Sequence, residues 1–362
     1  MSCPFRVKHI KNRGRNTMTL HDEIYDQYGV ISHLLTAQRK HIEEIAREIK
    51  KQEIHYVFLA ARGTSDNAGR YANYLWGAFN QLPLALATPS LFSIYNQPPR
   101  LKNALVVGIS QSGQSPDIVS VLAEGRRQGC LTLAITNELD SPLAQAADLN
   151  LDVEAGSEKA VAATKTYTAQ LTSIAMLSAA LLNDEKRWQE LDRLPGWVET
   201  VLKLDKELEQ TSLRYRYMQR CVVLGRGFNY ATAFEWSLKL KELTYVEAEP
   251  YSSADFMHGP IAMVDQGFPV MVVNPNGMVF DSILALMRDL KQNQRAELAV
   301  ISDRQEALAL AQAPIPLPAG IPEWLSPIVS IIPAQLFGYH LTRHRGFSTE
   351  APRAIHKVTE TK

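Results

Sequence analysis

The sequence predicts an α/β protein built from two similar parallel-sheet units in tandem. Short runs of apolar, often β-branched residues recur along the chain, and each leads into a polar or glycine-bearing turn and then a helical pattern. Strand, turn, helix and strand at this spacing are how a parallel sheet covered by helices is written. The pattern also returns after a fixed interval: Gly63 to Gly227 and Gly113 to Gly277 are both 164 residues apart. That period is too long for a solenoid and fits two copies of one unit. The 362 residues suffice for both, at about 100–200 residues per domain.

The first 17 residues are basic and no apolar core follows them. They are therefore not a secretory signal, and the expectation is a disordered extension, or an upstream start codon with Met18 as the true start, rather than a nucleic-acid or targeting arm. Residues 18–52 form a helical segment, since Ile24, Tyr28, Ile31, Leu34, Leu35, Ile42, Ile45 and Ile49 recur at helical spacing. The first unit, 53–184, holds the runs Ile54–Ala60, Ala104–Ile109 and Leu131–Thr136. These are apolar throughout, as strands buried on both faces are. A charged stretch, 185–214, predicts a connecting helix or pair of helices. The second unit, 215–345, repeats the runs at Arg220–Leu224, Pro269–Val273 and Glu297–Ser302, then passes through a proline-rich stretch, 313–322, to a helix over 328–343. The last 17 residues, 346–362, are polar and read by composition as a loose tail. Pro352, Ile355 and Val358 give that tail the means to dock.

Composition excludes several functions. With 46% hydrophobic and 21% charged residues this is an ordinary globular chain. Its 38 basic and 38 acidic residues cancel, so no global field recruits nucleic acid or a membrane surface. The longest apolar stretch, around Leu171 to Leu182, is shorter than the roughly 20 residues a membrane span needs. Cys3, Cys130 and Cys221 stand apart with no CxxC pairing, which fits a reducing, cytoplasmic location. No HExxH or Cys/His cluster is present, so no metal is expected.

Three groups of residues could carry chemistry. The loop Ser110-Gln111-Ser112-Gly113-Gln114-Ser115 stands between a strand and a helix, and Gly63-Thr64-Ser65 stands after the preceding strand. Parallel sheets bind ligands at the carboxyl ends of their strands, where helix N-termini attract anions. Serine N-capping explains one such loop; two at neighbouring strand ends favour a phosphate. Gly108-Ile109-Ser110-Gln111-Ser112 is a near miss to the hydrolase nucleophile elbow, which keeps a serine hydrolase as an alternative. In the second unit Lys239 and Glu242 are three apart, on one helix face, which usually means a solvated ion pair. His258 follows in a Met-His-Gly-Pro turn. In the tail, Lys357 is a lysine that docking would partly desolvate and make nucleophilic.

The ordered set of motifs narrows the choice. GTS (63–65), SQSG (110–113), EKAVAATKTYTAQL (158–171), LKLKE (238–242), HGP (258–260) and PRAIHKVT (352–359) occur in that order. Together they resemble the tandem sugar-isomerase (SIS) half of glucosamine-6-phosphate synthases. The resemblance implies two flavodoxin-like SIS domains of three αβα layers with N-terminal helices and an ordered C-terminal tail. It also implies a homodimer and no metal or organic cofactor. By position it implies that Thr64, Ser65, Ser110, Gln111, Ser112 and Ser115 hold a sugar phosphate, with Val161 against the substrate. Glu242 is then the base moving a proton between C1 and C2, with Lys239 in support. Lys357 is the imine-forming lysine, and His258 opens the sugar ring in the neighbouring subunit. Ala163 and His356 depart from the family pattern, which has a serine and a small residue there, and leave the exact sugar open.

The synthases also carry an N-terminal glutaminase half that opens on a catalytic cysteine. Here Cys3 precedes Pro4 and the first unit begins near residue 53. The expectation is therefore deamination, from glucosamine-6-phosphate to fructose-6-phosphate and ammonia. A fructosamine-6-phosphate deglycase, a ketose/aldose phosphate isomerase and a non-catalytic sugar-phosphate sensor are the alternatives.

Overall fold

The computed structural model describes residues 18–357. The basic segment 1–17 and the last five residues, Val358 among them, lie outside the described residues. Ten strands form two sheets, parallel throughout. The first sheet comprises β1 (Tyr56–Ala60), β2 (Leu84–Leu86), β3 (Ala104–Ser110), β4 (Leu131–Thr136) and β5 (Leu149–Asp152), in the order β2-β1-β3-β4-β5. The second comprises β6 (Arg220–Gly225), β7 (Glu247–Ser252), β8 (Pro269–Val273), β9 (Glu297–Ser302) and β10 (Ala313–Pro316), in the order β7-β6-β8-β9-β10. The two orders are the same, so the duplication read from the glycine spacing is a duplication of topology. In each sheet the chain runs first to one side and then to the other, leaving a crevice between the first and third strands at their carboxyl ends.

Alternation along the strands assigns their faces. Val57, Leu59, Leu105 and Val107 share one core with Cys221, Val223, Met271 and Val273 of the second sheet. Phe58, Ala60 and Val106 turn outward into a smaller core, and Val222, Leu224, Val270 and Val272 do the same on the other side. Helices Lys165–Leu182 and Ser326–His344 lie in the shared core and are buried almost all round, so neither shows the one-sided stripe of a surface helix. No helix of the described residues is long and apolar enough to cross a membrane.

The structure revises several expected elements. The N-terminal segment is two helices, Leu20–Ala37 and Arg39–Lys50. The connecting stretch holds three, Glu185–Leu191, Leu194–Leu202 and Asp205–Leu213, rather than one or two. Strands β2, β5, β7 and β10 are additions; β7 covers Glu247 and Glu249, and β10 takes up the start of the proline-rich stretch.

A polar bridge ties three helices together behind the sheets. Asp205 accepts from His340 Nε2 at 2.7 Å and lies 3.2 Å from His21 Nε2. Burial pushes the Asp205 carboxyl up, but the two histidines outweigh it and hold it below its ordinary value. A group with a depressed folded value stabilises above its unfolded value and loses that contribution as pH falls through the folded one. We expect Asp205→Ala to lower the unfolding free energy at pH 7 by about 2 kcal/mol, because it strands the buried His340. The gap between variant and wild type should begin to close near about pH 4, the unfolded aspartate value, and vanish only below the lower folded value; urea unfolding at several pH values checks both points.

Candidate active site

The crevice of the first sheet opens into a cleft of about 350 Å³. Its floor comes from the loops after β1 and β3: Arg62, Gly63, Thr64, Ser65, then Ser110, Gln111, Ser112 and Ser115. Val161 and Ala163, from the loop before helix Lys165–Leu182, form one wall. Glu242 enters from the second unit, and Ile355, His356 and Lys357 close the cleft from the tail. Eleven of the thirteen residues read from the sequence thus line one cavity.

The serine loop is shaped by its backbone. Gly113 has φ +62°, and a Cβ there would stand 2.1 Å from Ser141 Oγ, so the turn admits only glycine. Ser110 Oγ accepts the Gly113 N–H at 3.1 Å. No histidine is bonded to it among the described residues, and its φ is not positive, so the strained hydrolase elbow is not formed. Ser115 occupies the N-cap of helix Pro116–Arg127, yet its hydroxyl makes no capping bond. That leaves the hydroxyl available to a ligand, and simple capping does not account for it.

Arg62 was not singled out from the sequence. Its guanidinium donates to Asp117 at 2.8 Å through Nε and 2.7 Å through Nη2, and Asp117 is buried one residue into the helix that Ser115 opens. The two loops therefore carry one oriented cation besides neutral hydroxyls. Single alanine substitutions at Ser110, Ser112 and Ser115 should each weaken fructose-6-phosphate binding by about 3–10-fold, the worth of a neutral hydrogen bond. Arg62→Ala should cost more, about 10–100-fold, because its bond is to a charged group. Titration calorimetry reads these values; a loss confined to Ser110 would contradict the phosphate assignment.

Beneath the cleft lies a charged cluster that spans the two units. Helix Tyr230–Lys239 packs against helix Thr64–Asn80 and runs into a single π turn, Leu240–Thr244. Lys239 Nζ lies 2.7 Å from Glu242 Oε2, 3.3 Å from Glu235 Oε1 and 3.2 Å from Thr64 Oγ1. Lys239 does not line the cleft and is only 1% exposed, so the expected solvated ion pair has its lysine buried and only Glu242 facing the cleft. Glu235, fully buried and unread from the sequence, also accepts from Thr64 Oγ1 at 3.0 Å and Asn67 Nδ2 at 2.7 Å. Burial pushes Glu235 above its ordinary value. Burial works against the Lys239 charge too, but its two carboxylates outweigh this and hold it protonated. The Thr64 hydroxyl is thus already engaged in this cluster. Glu242 Oε1 has no hydrogen-bond partner among the described residues.

The tail is ordered as far as it is described. Glu350 accepts the N–H of Leu20 at 3.2 Å. Arg353 donates its N–H to Tyr245 Oη at 2.8 Å, and its guanidinium lies 4.4 Å from the same ring. Lys357 Nζ lies 2.6 Å from Glu158 Oε2, a buried carboxylate at the head of the 158–171 motif. His258 is exposed beyond the short helix Ser253–Met257 and does not line the cleft of its own chain.

Comparison with known proteins now adds to this geometry. The SIS domain model matches residues 51–180 and 216–345. The chain belongs to the SIS domain family. Its relatives match it through their isomerase half. One is the glutamine–fructose-6-phosphate aminotransferase [isomerizing] of Thermococcus kodakarensis, 33% identical across 92% of this chain; the chain spans 56% of that protein's length. Among solved structures, the C-terminal domain of glucosamine-fructose-6-phosphate aminotransferase from Francisella tularensis superposes with TM-score 0.83 at 28% identity, covering 94% of this chain and 99% of that one. Tagatose-6-phosphate ketose/aldose isomerase from Escherichia coli shares the fold, with TM-score 0.81 at 21% identity and coverage of 95% and 98%.

The second SIS unit has the same crevice but not the same site. A Cβ on Gly277 would stand 2.2 Å from Glu323 Cδ, and Glu323 accepts the Met278 N–H at 2.9 Å. Asp303 accepts the Asn276 N–H at 2.7 Å. The backbone donors that would cradle an anion here are taken by the protein's own carboxylates. Among the described residues, His21, Asp205 and His340 are the three groups placed closely enough to share a metal ion. They lie outside the cleft, and the buried Nδ1 of His340 has no partner, whereas a metal-bound histidine needs an acceptor for that N–H.

Proposed function

We propose that this chain isomerises a phosphorylated amino sugar, converting glucosamine-6-phosphate to fructose-6-phosphate and ammonia. One observation carries the reading: phosphate loops, the unpartnered Oε1 of Glu242 and the tail lysine Lys357 meet in one cleft. The phosphate rests on Ser110, Gln111, Ser112, Ser115, Ser65 and Arg62, which fixes the reacting carbons. His258 of a second copy of the chain acts as the acid and base that opens the ring, which makes the working form a homodimer. Glu242 takes the proton from C2 and returns it to C1, turning the 2-amino aldose into a 2-imino ketose. A carboxylate serves both steps, as base for one carbon and acid for the next. Water then adds at C2 and ammonia leaves, or the neutral Lys357 amine takes its place as an imine that water later releases.

The test is ammonia release from glucosamine-6-phosphate, coupled to detection of fructose-6-phosphate. Release of both in equal amounts supports the reading. Amine release from fructosamine-6-phosphate alone points to a deglycase, and interconversion of unaminated sugar phosphates alone points to a plain isomerase. A melting-temperature rise with sugar phosphate and no turnover of any kind points to a sensor.

A further inference from the structure

The tail lysine lines the cleft with its Nζ on a buried carboxylate. Glu158 is fixed by the backbone N–H groups of Thr164 and Thr166 on Oε1, at 2.9 and 3.1 Å, and by Thr166 Oγ1 on Oε2 at 2.8 Å. The same Oε2 holds Lys357 Nζ at 2.6 Å. We propose that Glu158 is the positioning residue of the imine-forming lysine: it docks the tail through the Lys357 ammonium and fixes the direction from which Nζ reacts. This rests on the reading of Lys357 given above.

Geometry and charge both support it. A lysine on a four-carbon stem has no preferred direction in water, and a misplacement near 1 Å costs on the order of 100-fold in rate. Glu158 is a fixed anchor because every other bond it accepts comes from one short stretch, 164–166, at the start of a core helix. Its burial raises its carboxyl, but Lys357 and the two backbone donors reverse that and hold it ionised, below the ordinary value. Glu23 is a second buried carboxylate close by. Burial raises it too and is not outweighed there, and its partners are the N–H groups of Lys159 and Ala160. The remaining charged or titratable groups around Lys357 are Glu242, His356 and Arg62, all in the cleft wall. Of all these, Glu158 alone is hydrogen-bonded to Nζ among the described residues.

Borohydride trapping of fructose-6-phosphate on Lys357, read by mass spectrometry, separates the possibilities. In the imine step a neutral amine adds to the C2 carbonyl, the oxygen takes up protons and leaves as water, and borohydride reduces the resulting C=N bond. With Glu158→Gln the charge that holds Nζ is gone, so the trapping rate at saturating sugar phosphate falls by roughly tenfold or more, while the half-saturating concentration stays within about threefold. Glu158→Asp keeps the anion and should recover part of the rate, which a purely structural role would not do. A Glu158→Gln trapping rate equal to wild type overturns the proposal. If Glu158→Gln does not fold, a folded Glu158→Asp that loses roughly tenfold or more also overturns it, since the anion is kept. No adduct in wild type overturns the imine reading itself, and the assignment of Glu158 falls with it.

Discussion

Glu242→Gln should lower ammonia release by about 10²–10⁴-fold, the usual contribution of a positioned general base. It should leave the dissociation constant for fructose-6-phosphate within about threefold. The separation follows from the site. None of the serine-loop hydroxyls is hydrogen-bonded to Glu242 among the described residues, and its Oε1 is an acceptor with no partner there. Glutamine keeps the volume and can still accept from Lys239, so the cluster below is not dismantled. It cannot take a proton. Loss of deuterium from C2-labelled substrate in ordinary water gives the sharper measurement, because it reports the proton transfer before any amine departs. Exchange in the variant within threefold of wild type would remove Glu242 from the role of base.

Such a separation of binding from chemistry also shows what a sequence can disclose. The six strands read from the chain, β1, β3, β4, β6, β8 and β9, are the interior strands of the two sheets. Both their faces are covered, so their residues are uniformly apolar and stand out. The four that were not read are the four edges. An edge strand pairs on one side only and tolerates short length, charge and proline. β7 is written Glu-Ala-Glu-Pro-Tyr-Ser and β10 Ala-Pro-Ile-Pro, and neither resembles a strand by composition.

The site divides in the same way. Residues on loops with distinctive small or hydroxyl side chains, such as Ser110 to Ser115, were legible because a motif records backbone shape. The groups that orient them were not. Arg62 and Asp117 are 55 residues apart and Thr64 and Glu235 are 171 apart; only the fold of the first unit joins the one pair, and only the packing of the two units the other. Glu235 sits four residues before Lys239 on what looks like an ordinary helix, and nothing local says that this face is buried under another domain. Glu158 opened a recognised motif without a role, since its partner lies 199 residues later.

Lys239→Met should be the most destabilising single change in the cleft region, lowering the unfolding free energy by about 3–5 kcal/mol at pH 8. The ammonium is 1% exposed and stands between two carboxylates, one of them wholly buried. Methionine fills much of the same volume, so the loss is not a cavity. It is the charge left on Glu235, whose remaining donors are Thr64 and Asn67. In the variant Glu235 can escape only by taking up a proton, and the sign of the pH dependence follows. A carboxyl whose folded value lies above its unfolded value favours the folded state below the unfolded value, about 4.3 for glutamate, and loses that as pH rises through the folded one. The gap between variant and wild type should therefore be small at pH 5 and grow towards pH 8. Adding Glu235→Gln to Lys239→Met removes the stranded charge, and should recover at least half of the loss and flatten the pH dependence. Equal destabilisation at both pH values, unchanged by the second substitution, would mean that Lys239 acts through packing alone. Thr64 would then owe its place to the helix that carries it, and the two SIS units would be joined at the site by shape rather than by charge.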